Sequence, residues 1–208
     1  MIKTETLKKI SDGRSTAYFS NGEIIEFSIE ELCAFHIREG REYSLEEYEA
    51  LIHKVMCQRA KSVVMPYVVY TKRTEKQVYN KIKDSGFTDE VAVSLVSELK
   101  EKEYISDKDY CRSFIKKTLE KGESKQKILW ELKNKGVSVN VAEEVYKEFS
   151  PDELNQAIKS LNKKLRTGGK KDYNKLYGFL QRKGFSAGIA RKALQEFDVK
   201  RNVGNEEY

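Results

Sequence analysis

Cysteine, histidine and proline are scarce in this 208-residue chain, which holds only Cys33, Cys57 and Cys111, His36 and His53, and Pro66 and Pro151. Three widely spaced cysteines without a CxxC pair exclude a disulfide framework and fit reduced thiols. Cys33-x2-His36 would offer two soft ligands from one helix, but no second pair completes a zinc site, so no metal is expected. No run of about 18 apolar residues occurs. The start, MIKTETLKKISDGR, lacks the apolar stretch of a signal peptide, so a cytoplasmic protein without a membrane span is predicted. There is no Walker glycine loop and no HExxH pair, and the carboxylates are too dispersed to single out a catalytic couple. Neither catalysis nor a cofactor is expected.

The chain is 39% apolar and 11% aromatic, enough for a packed core. One pattern dominates: apolar-x3-apolar-x3-Gly, as Val78-x3-Ile82-x3-Gly86, Ile128-x3-Leu132-x3-Gly136 and Leu176-x3-Leu180-x3-Gly184. Phe87, Val137 or Phe185 follows at once. The glycines are 50 and then 48 residues apart, a period suited to three short helices per repeat. Five, six and thirteen residues after each glycine come Val91, Ala92 and Leu99, then Val141, Ala142 and Phe149, then Ile189, Ala190 and Phe197. The same face is therefore apolar each time. A glycine just past an amphipathic run and followed by an apolar residue reads as a left-handed helix C-cap, a structural role rather than a phosphate-binding one.

Ahead of the repeats, Asp12-Gly13 and Asn21-Gly22 are turn signals, the second joining two strand-like runs in the manner of a two-residue hairpin. A three-stranded meander over residues 2–28 is predicted. Ser28-x2-Glu31 and Ser44-x2-Glu47 have capping-box form, so two helices should start there, separated near Gly40. The expected fold is mainly α. A tandem array of three three-helix repeats (58–104, 105–149 and 150–198) follows a small α+β N-terminal domain (1–57), and residues 199–208 form a flexible tail. Caps at Thr74, Thr88, Ser106, Ser124, Ser138 and Ser150, with Pro151 in a first turn, predict nine helices. They should lie near 58–70, 74–85, 88–102, 106–121, 124–135, 138–149, 151–167, 171–183 and 186–197.

The net charge of +6 is unevenly spread. Residues 1–57 carry −4 and residues 58–154 carry +2, whereas residues 155–201 hold 13 Lys/Arg against 3 Asp/Glu, a net +10. A field of one sign on this scale favours an anionic partner. Lys159, Lys163, Arg166 and Lys170 fall on one helix face, and Lys171, Lys175 and Arg182 fall on the next. Such stripes suit a line of phosphates or an acidic protein groove; the bland alternative is a solvated face. Arg73, Arg112 and Lys116 either extend the positive track or pair locally with Glu75, Asp109 and Glu120, and Lys127 is a further candidate at the second repeat's equivalent of the stripe. The aromatics Tyr67, Tyr70, Tyr79, Tyr110, Phe114, Tyr173, Tyr177 and Phe179 read as core, although base stacking is conceivable. Trp130 is the case least settled by spacing.

Four ordered motifs carry a resemblance. Tyr70-x2-Arg73-Thr74-x2-Gln77-Val78-x3-Ile82-x3-Gly86-Phe87 is followed by Tyr104-Ile105-Ser106-Asp107-x2-Tyr110-Cys111-Arg112-x-Phe114. Ile128-x2-Glu131-Leu132-x2-Lys135-Gly136-Val137 and Phe179-Leu180-x2-Lys183-Gly184-Phe185 complete the set. Over residues 58–197 the chain resembles the RecX family of recombinase regulators. It departs at Ser106 and Cys111, where the family usually has Asp and Ala. The resemblance implies a monomer without chemistry of its own that binds the RecA recombinase filament in its groove on DNA. It would thereby limit filament growth, ATP hydrolysis and strand exchange. The alternative reading is a sequence-independent binder of single- or double-stranded DNA.

Overall fold

The computed structural model describes residues 1–11, 13–166 and 172–203, the last six of these by backbone alone. The chain forms two compact units, Met1–Tyr67 with Tyr79–Leu99, and Val68–Val78 with Lys100–Tyr208.

In the first unit, β1 (Ile2–Ser11), β2 (Arg14–Phe19) and β3 (Ile24–Ser28) form the predicted antiparallel meander. A fourth strand, β4 (Glu42–Tyr43), pairs with β1, giving the order β3-β2-β1-β4. Two residues are too short a run to show an alternating pattern. The β2–β3 turn is one residue wider than a two-residue hairpin, because the Phe19 N–H donates to the Glu23 carbonyl at 3.0 Å and Gly22 takes φ +85°. Helix α1 (Ile29–Ala34) begins in a complete capping box between Ser28 and Glu31. Ser44 and Glu47 repeat the device for α2 (Leu45–Val69). The expected break at residues 57–58 does not occur: between Gly40 and Pro66 the sequence has nothing to stop a helix, so α2 runs 25 residues. His36, with φ +53°, lies beyond the end of α1, so it shares no helix face with Cys33.

The core of this unit gathers Ala17, Phe19, Phe27, Ile37, Tyr43, Tyr48 and Val55. Phe19 meets Tyr48 edge-on at 4.9 Å, and each such buried ring contributes roughly 2–3 kcal/mol. Arg59 of α2 clamps Glu31 with two bonds of 2.6 and 2.7 Å and reaches the Glu26 carbonyl as well. Hydrogen bonds from Arg59 hold the Glu31 carboxyl below its usual range despite partial burial.

The remaining helices are α3 (Glu75–Asp84), α4 (Asp89–Glu101), α5 (Asp107–Glu120), α6 (Lys125–Asn134), α7 (Val139–Phe149), α8 (Glu153–Arg166), α9 (Tyr173–Arg182) and α10 (Ala187–Val203). Helix α10 passes the expected end at residue 197 by six residues; residues 204–208 of the expected tail lie outside the described residues. Ser150 does not cap α8: it closes α7 in a left-handed conformation, and Asp152 accepts from the Leu154 N–H at 2.8 Å to start α8. The stronger acceptor, two residues on, takes the cap. In the second unit, one core gathers Cys111, Ile115, Ile128, Leu132 and Val145 from α5, α6 and α7. Another gathers Leu161, Leu176, Leu180, Phe185 and Leu194 from α8, α9 and α10 and the α9–α10 turn.

Gly86, Gly136 and Gly184 take φ of +90°, +90° and +82°. At each, the glycine N–H and the next N–H bond back to the preceding turn, as in Val137 N to Leu132 O and Gly136 N to Lys133 O. These are the paired bonds of a Schellman cap.

Candidate partner-binding surface

Helix α8 buries Gln156, Ala157, Ser160 and Leu161, which turns Lys159, Lys163 and Arg166 outward. Helix α9 buries Leu176 and Leu180 and exposes Lys175 and Arg182. The α8 face is fixed at Ser160, whose hydroxyl donates to the Gly122 carbonyl at 2.7 Å. A Cβ on Gly122 would come within 2.9 Å of the Ser160 nitrogen, so the approach needs glycine. Lys163 and Arg166, in the last turn of α8, also complement the negative end of its dipole. Lys170 and Lys171 lie outside the described residues.

The second repeat behaves differently. Arg112 gives Glu148 two bonds of 2.9 and 3.0 Å and Asp109 a third of 2.9 Å. One turn earlier Lys108 binds Glu144 at 2.8 Å, so α5 and α7 are joined by two ionic rungs. Lys127 lies 3.0 Å from Glu123. The charges of Arg112 and Lys127 are therefore answered within the fold, while Lys116 stands exposed. Arg73 is half-buried just before the Thr74 cap, and Glu75 pairs with Lys100 at 2.9 Å.

Glu123 also takes Lys183 at 2.9 Å. Burial alone would raise the Glu123 carboxyl, but hydrogen bonds from Lys183 and Lys127 outweigh it and hold the group below its usual range. The next residue, Ser124, binds the main chain of the same lysine, donating to the Lys183 carbonyl at 2.6 Å while accepting from the Lys127 N–H. Thr74 does the same one repeat earlier, donating to the Lys135 carbonyl at 2.7 Å and accepting from the Gln77 N–H at 3.1 Å. Sequence reading found both caps but not their second bonds. The signal available to it was a hydroxyl at both positions and Asp172, which has none, at the third.

Two aromatics expected in the core, Tyr70 and Tyr173, are exposed, and Trp130, which spacing left open, is exposed as well. Tyr70 is 88% exposed, Trp130 62% and Tyr173 49%. Tyr173 stacks on Tyr177 at 6.3 Å, and Tyr110 stacks on the half-buried Phe114 at 6.0 Å. Trp130 stands on the outer face of α6 beside the exposed Gln126, Lys133 and Asn134.

Among the described residues, no cluster of His, Cys, Asp and Glu could hold a metal ion. The string Gly184-Phe185-Ser186-Ala187-Gly188 matches the G-x-S-x-G form of a serine nucleophile elbow. Its context is helix–turn–helix rather than strand–turn–helix, and the Ser186 hydroxyl caps α10 by accepting from the Ile189 N–H. Among the described residues, no helix is long and apolar enough to cross a membrane.

A family model for the third three-helix domain of RecX matches residues 151–194. The regulatory protein RecX of Caldanaerobacter subterraneus subsp. tengcongensis is 25% identical over 195 residues, covering 93% of this chain and 98% of its own. That of Clostridium botulinum strain Alaska E43 is 32% identical over 158 residues, covering 73% and 74%. Among solved structures, a crystal structure of regulatory protein RecX aligns with a TM-score of 0.65 at 20% identity, covering 94% of this chain and 100% of the other. RecX from Lactobacillus salivarius aligns with a TM-score of 0.61 at 22% identity, covering 70% and 99%. At those identities the two structures establish the fold.

Proposed function

The chain belongs to the RecX family, and from that premise we propose that it binds the RecA recombinase filament on DNA and limits filament growth, ATP hydrolysis and strand exchange. The observation that carries the reading is the outward set Lys159, Lys163, Arg166, Lys175 and Arg182, in a segment, 155–201, that holds 13 Lys/Arg against 3 Asp/Glu. Long basic side chains on successive helices neutralise a row of phosphates or a run of carboxylates without reading base identity. The protein acts by occupancy, as a cytoplasmic monomer, and its repeats at 58–104, 105–149 and 150–198 are the units that meet successive parts of the filament.

The test is DNA-dependent ATP hydrolysis by the cognate RecA at fixed single-stranded DNA as the protein is titrated in. Inhibition far below one protein per recombinase subunit supports a filament-directed regulator. Inhibition only near saturation of the DNA points instead to competition for strands. That second reading is favoured by the same lysine stripes, whose sequence-independent contacts would weaken steeply with salt.

A further inference from the structure

The first turn of one helix covers the end of another at two of the three Schellman glycines. At Gly136 the Thr74 hydroxyl donates to the preceding carbonyl, and the Lys76 stem lies so close that a Cβ on the glycine would meet Lys76 Cβ at 2.3 Å. At Gly184 the Ser124 hydroxyl donates to the preceding carbonyl, and a Cβ would meet Ser124 Oγ at 2.8 Å and Gln126 Cβ at 3.5 Å. The device is the same both times. A hydroxyl N-cap finishes the neighbouring helix, and the side chain two residues on lies across its glycine.

Gly86 has the same cap geometry and is uncovered. No atom lies within 4 Å of a Cβ built there, and among the described residues no side chain donates to the Ser85 carbonyl, the equivalent acceptor. Gly86 forms one wall of a cavity of about 600 Å3. One turn of helix, about 5.4 Å long and 10–12 Å across, fills roughly 400–600 Å3. Ile52, Met56, Phe87 and Val91 supply apolar lining, and Glu23, Glu49 and Glu90 stand exposed around it. Carboxylates suit the positive N-terminal end of a helix and a lysine in its first turn.

We infer that this cavity is a docking slot for the first turn of a helix from a partner protein, capped by Ser or Thr and carrying Lys two residues later. The cap hydroxyl donates to the Ser85 carbonyl, the lysine stem crosses Gly86, and its ammonium meets the three glutamates. A second copy of this chain is the wrong occupant, because its two hydroxyl-capped starts with lysine two residues on are already engaged: Thr74 donates to the Lys135 carbonyl, and Lys108, two residues after Ser106, pairs with Glu144. Its corresponding helix start is α9, where Asp172 accepts from the Lys175 N–H. A carboxylate has no proton to donate to a carbonyl and would face Glu23, Glu49 and Glu90. The inference rests on the repeat geometry and stands apart from the identity of the recombinase.

The experiment uses the full chain, isotopically labelled, titrated with a synthetic peptide carrying the sequence of residues 72–84, followed by backbone amide shifts. Saturable shifts at Gly86, Phe87, Thr88 and Glu90 are expected. A peptide with Asp in place of the cap threonine should bind about tenfold more weakly, as should the protein with Glu49→Lys, whose melting should be unchanged. The inference is overturned by shifts absent from residues 86–90 at about 1 mM peptide, by equal binding of the Asp-capped peptide, or by sedimentation showing a dimer that the Glu49→Lys change dissolves.

Discussion

Ser124 and Lys183 are joined by a hydroxyl that is used twice: its oxygen starts α6 by accepting the Lys127 N–H at 3.2 Å, and its proton closes α9 on the Lys183 carbonyl at 2.6 Å. Thr74 and Lys135 repeat the relationship. A hydroxyl both donates and accepts, whereas a carboxylate only accepts. The aspartate at the third such position, Asp172, therefore caps its own helix and ties down no other.

Thr74→Val should remove both bonds and leave the buried start of α3 and the Lys135 carbonyl short of partners. Loss of a cap costs about 1 kcal/mol and an orphaned polar group roughly 1–3 kcal/mol, so a total near 2–4 kcal/mol is expected. Thr74→Ser should cost far less. Urea denaturation of the three proteins measures the difference, and equal losses for Val and Ser would contradict the shared-hydroxyl account.

Gly86→Ala and Gly136→Ala place the same methyl group at the same φ of +90°. Each pays the left-handed penalty of about 1–2 kcal/mol. Only Gly136→Ala also drives Cβ into Lys76, at 2.3 Å. Its melting temperature should fall clearly further than that of Gly86→Ala in calorimetry.

Glu123→Gln should destabilise the protein at pH 7 by roughly 1–3 kcal/mol, since hydrogen bonds to a charged partner are lost. The folded carboxyl sits below the unfolded value of 4.5. Its stabilising effect is complete above that value and is lost as pH falls through the folded one. The gap between wild type and variant should therefore be constant at neutral pH and close in acid. Stability curves of both proteins between neutral and acid pH test this; a gap that widens in acid would refute the sign.

Reversing the charges of Lys163, Arg166, Lys175 and Arg182 should abolish inhibition of RecA ATP hydrolysis while leaving the helical circular dichroism intact. Arg112→Ala is the contrasting change. Its charge is engaged by Glu148 and Asp109, so it should alter stability more than inhibition. Retained inhibition by the reversed variant would remove the α8–α9 surface from the proposal.

Trp130 is the sole tryptophan and is 62% exposed, so its fluorescence reports one site. Iodide should quench it readily in the free protein. Protection on adding RecA–DNA filaments would extend the contact surface to α6; unchanged quenching would confine contact to other faces.

Helix starts were legible wherever the cap side chain and backbone follow local chemistry, as at Ser28, Ser44, Ser106, Ser124 and Ser138. They were misplaced where two acceptors compete, as at Ser150 and Asp152. The continuity of α2 through Cys57 was missed because composition shifts there while helix-breaking residues do not occur. Trp130 was unsettled because an outward indole and an inward one can share nearly the same helical spacing.

The sequence by itself determined the three glycine-ended helices, the meander, most of the caps and the positive charge of the last repeat, because each depends on residues close in the chain. The tertiary structure decided which charges stay available. Arg112, Lys127 and Lys183 are answered by carboxylates 36, 4 and 60 residues away, and only the fold brings the distant ones together. It also decided that two equivalent glycines are covered and the third, Gly86, is open, since a close approach between helices leaves no local trace in either of them.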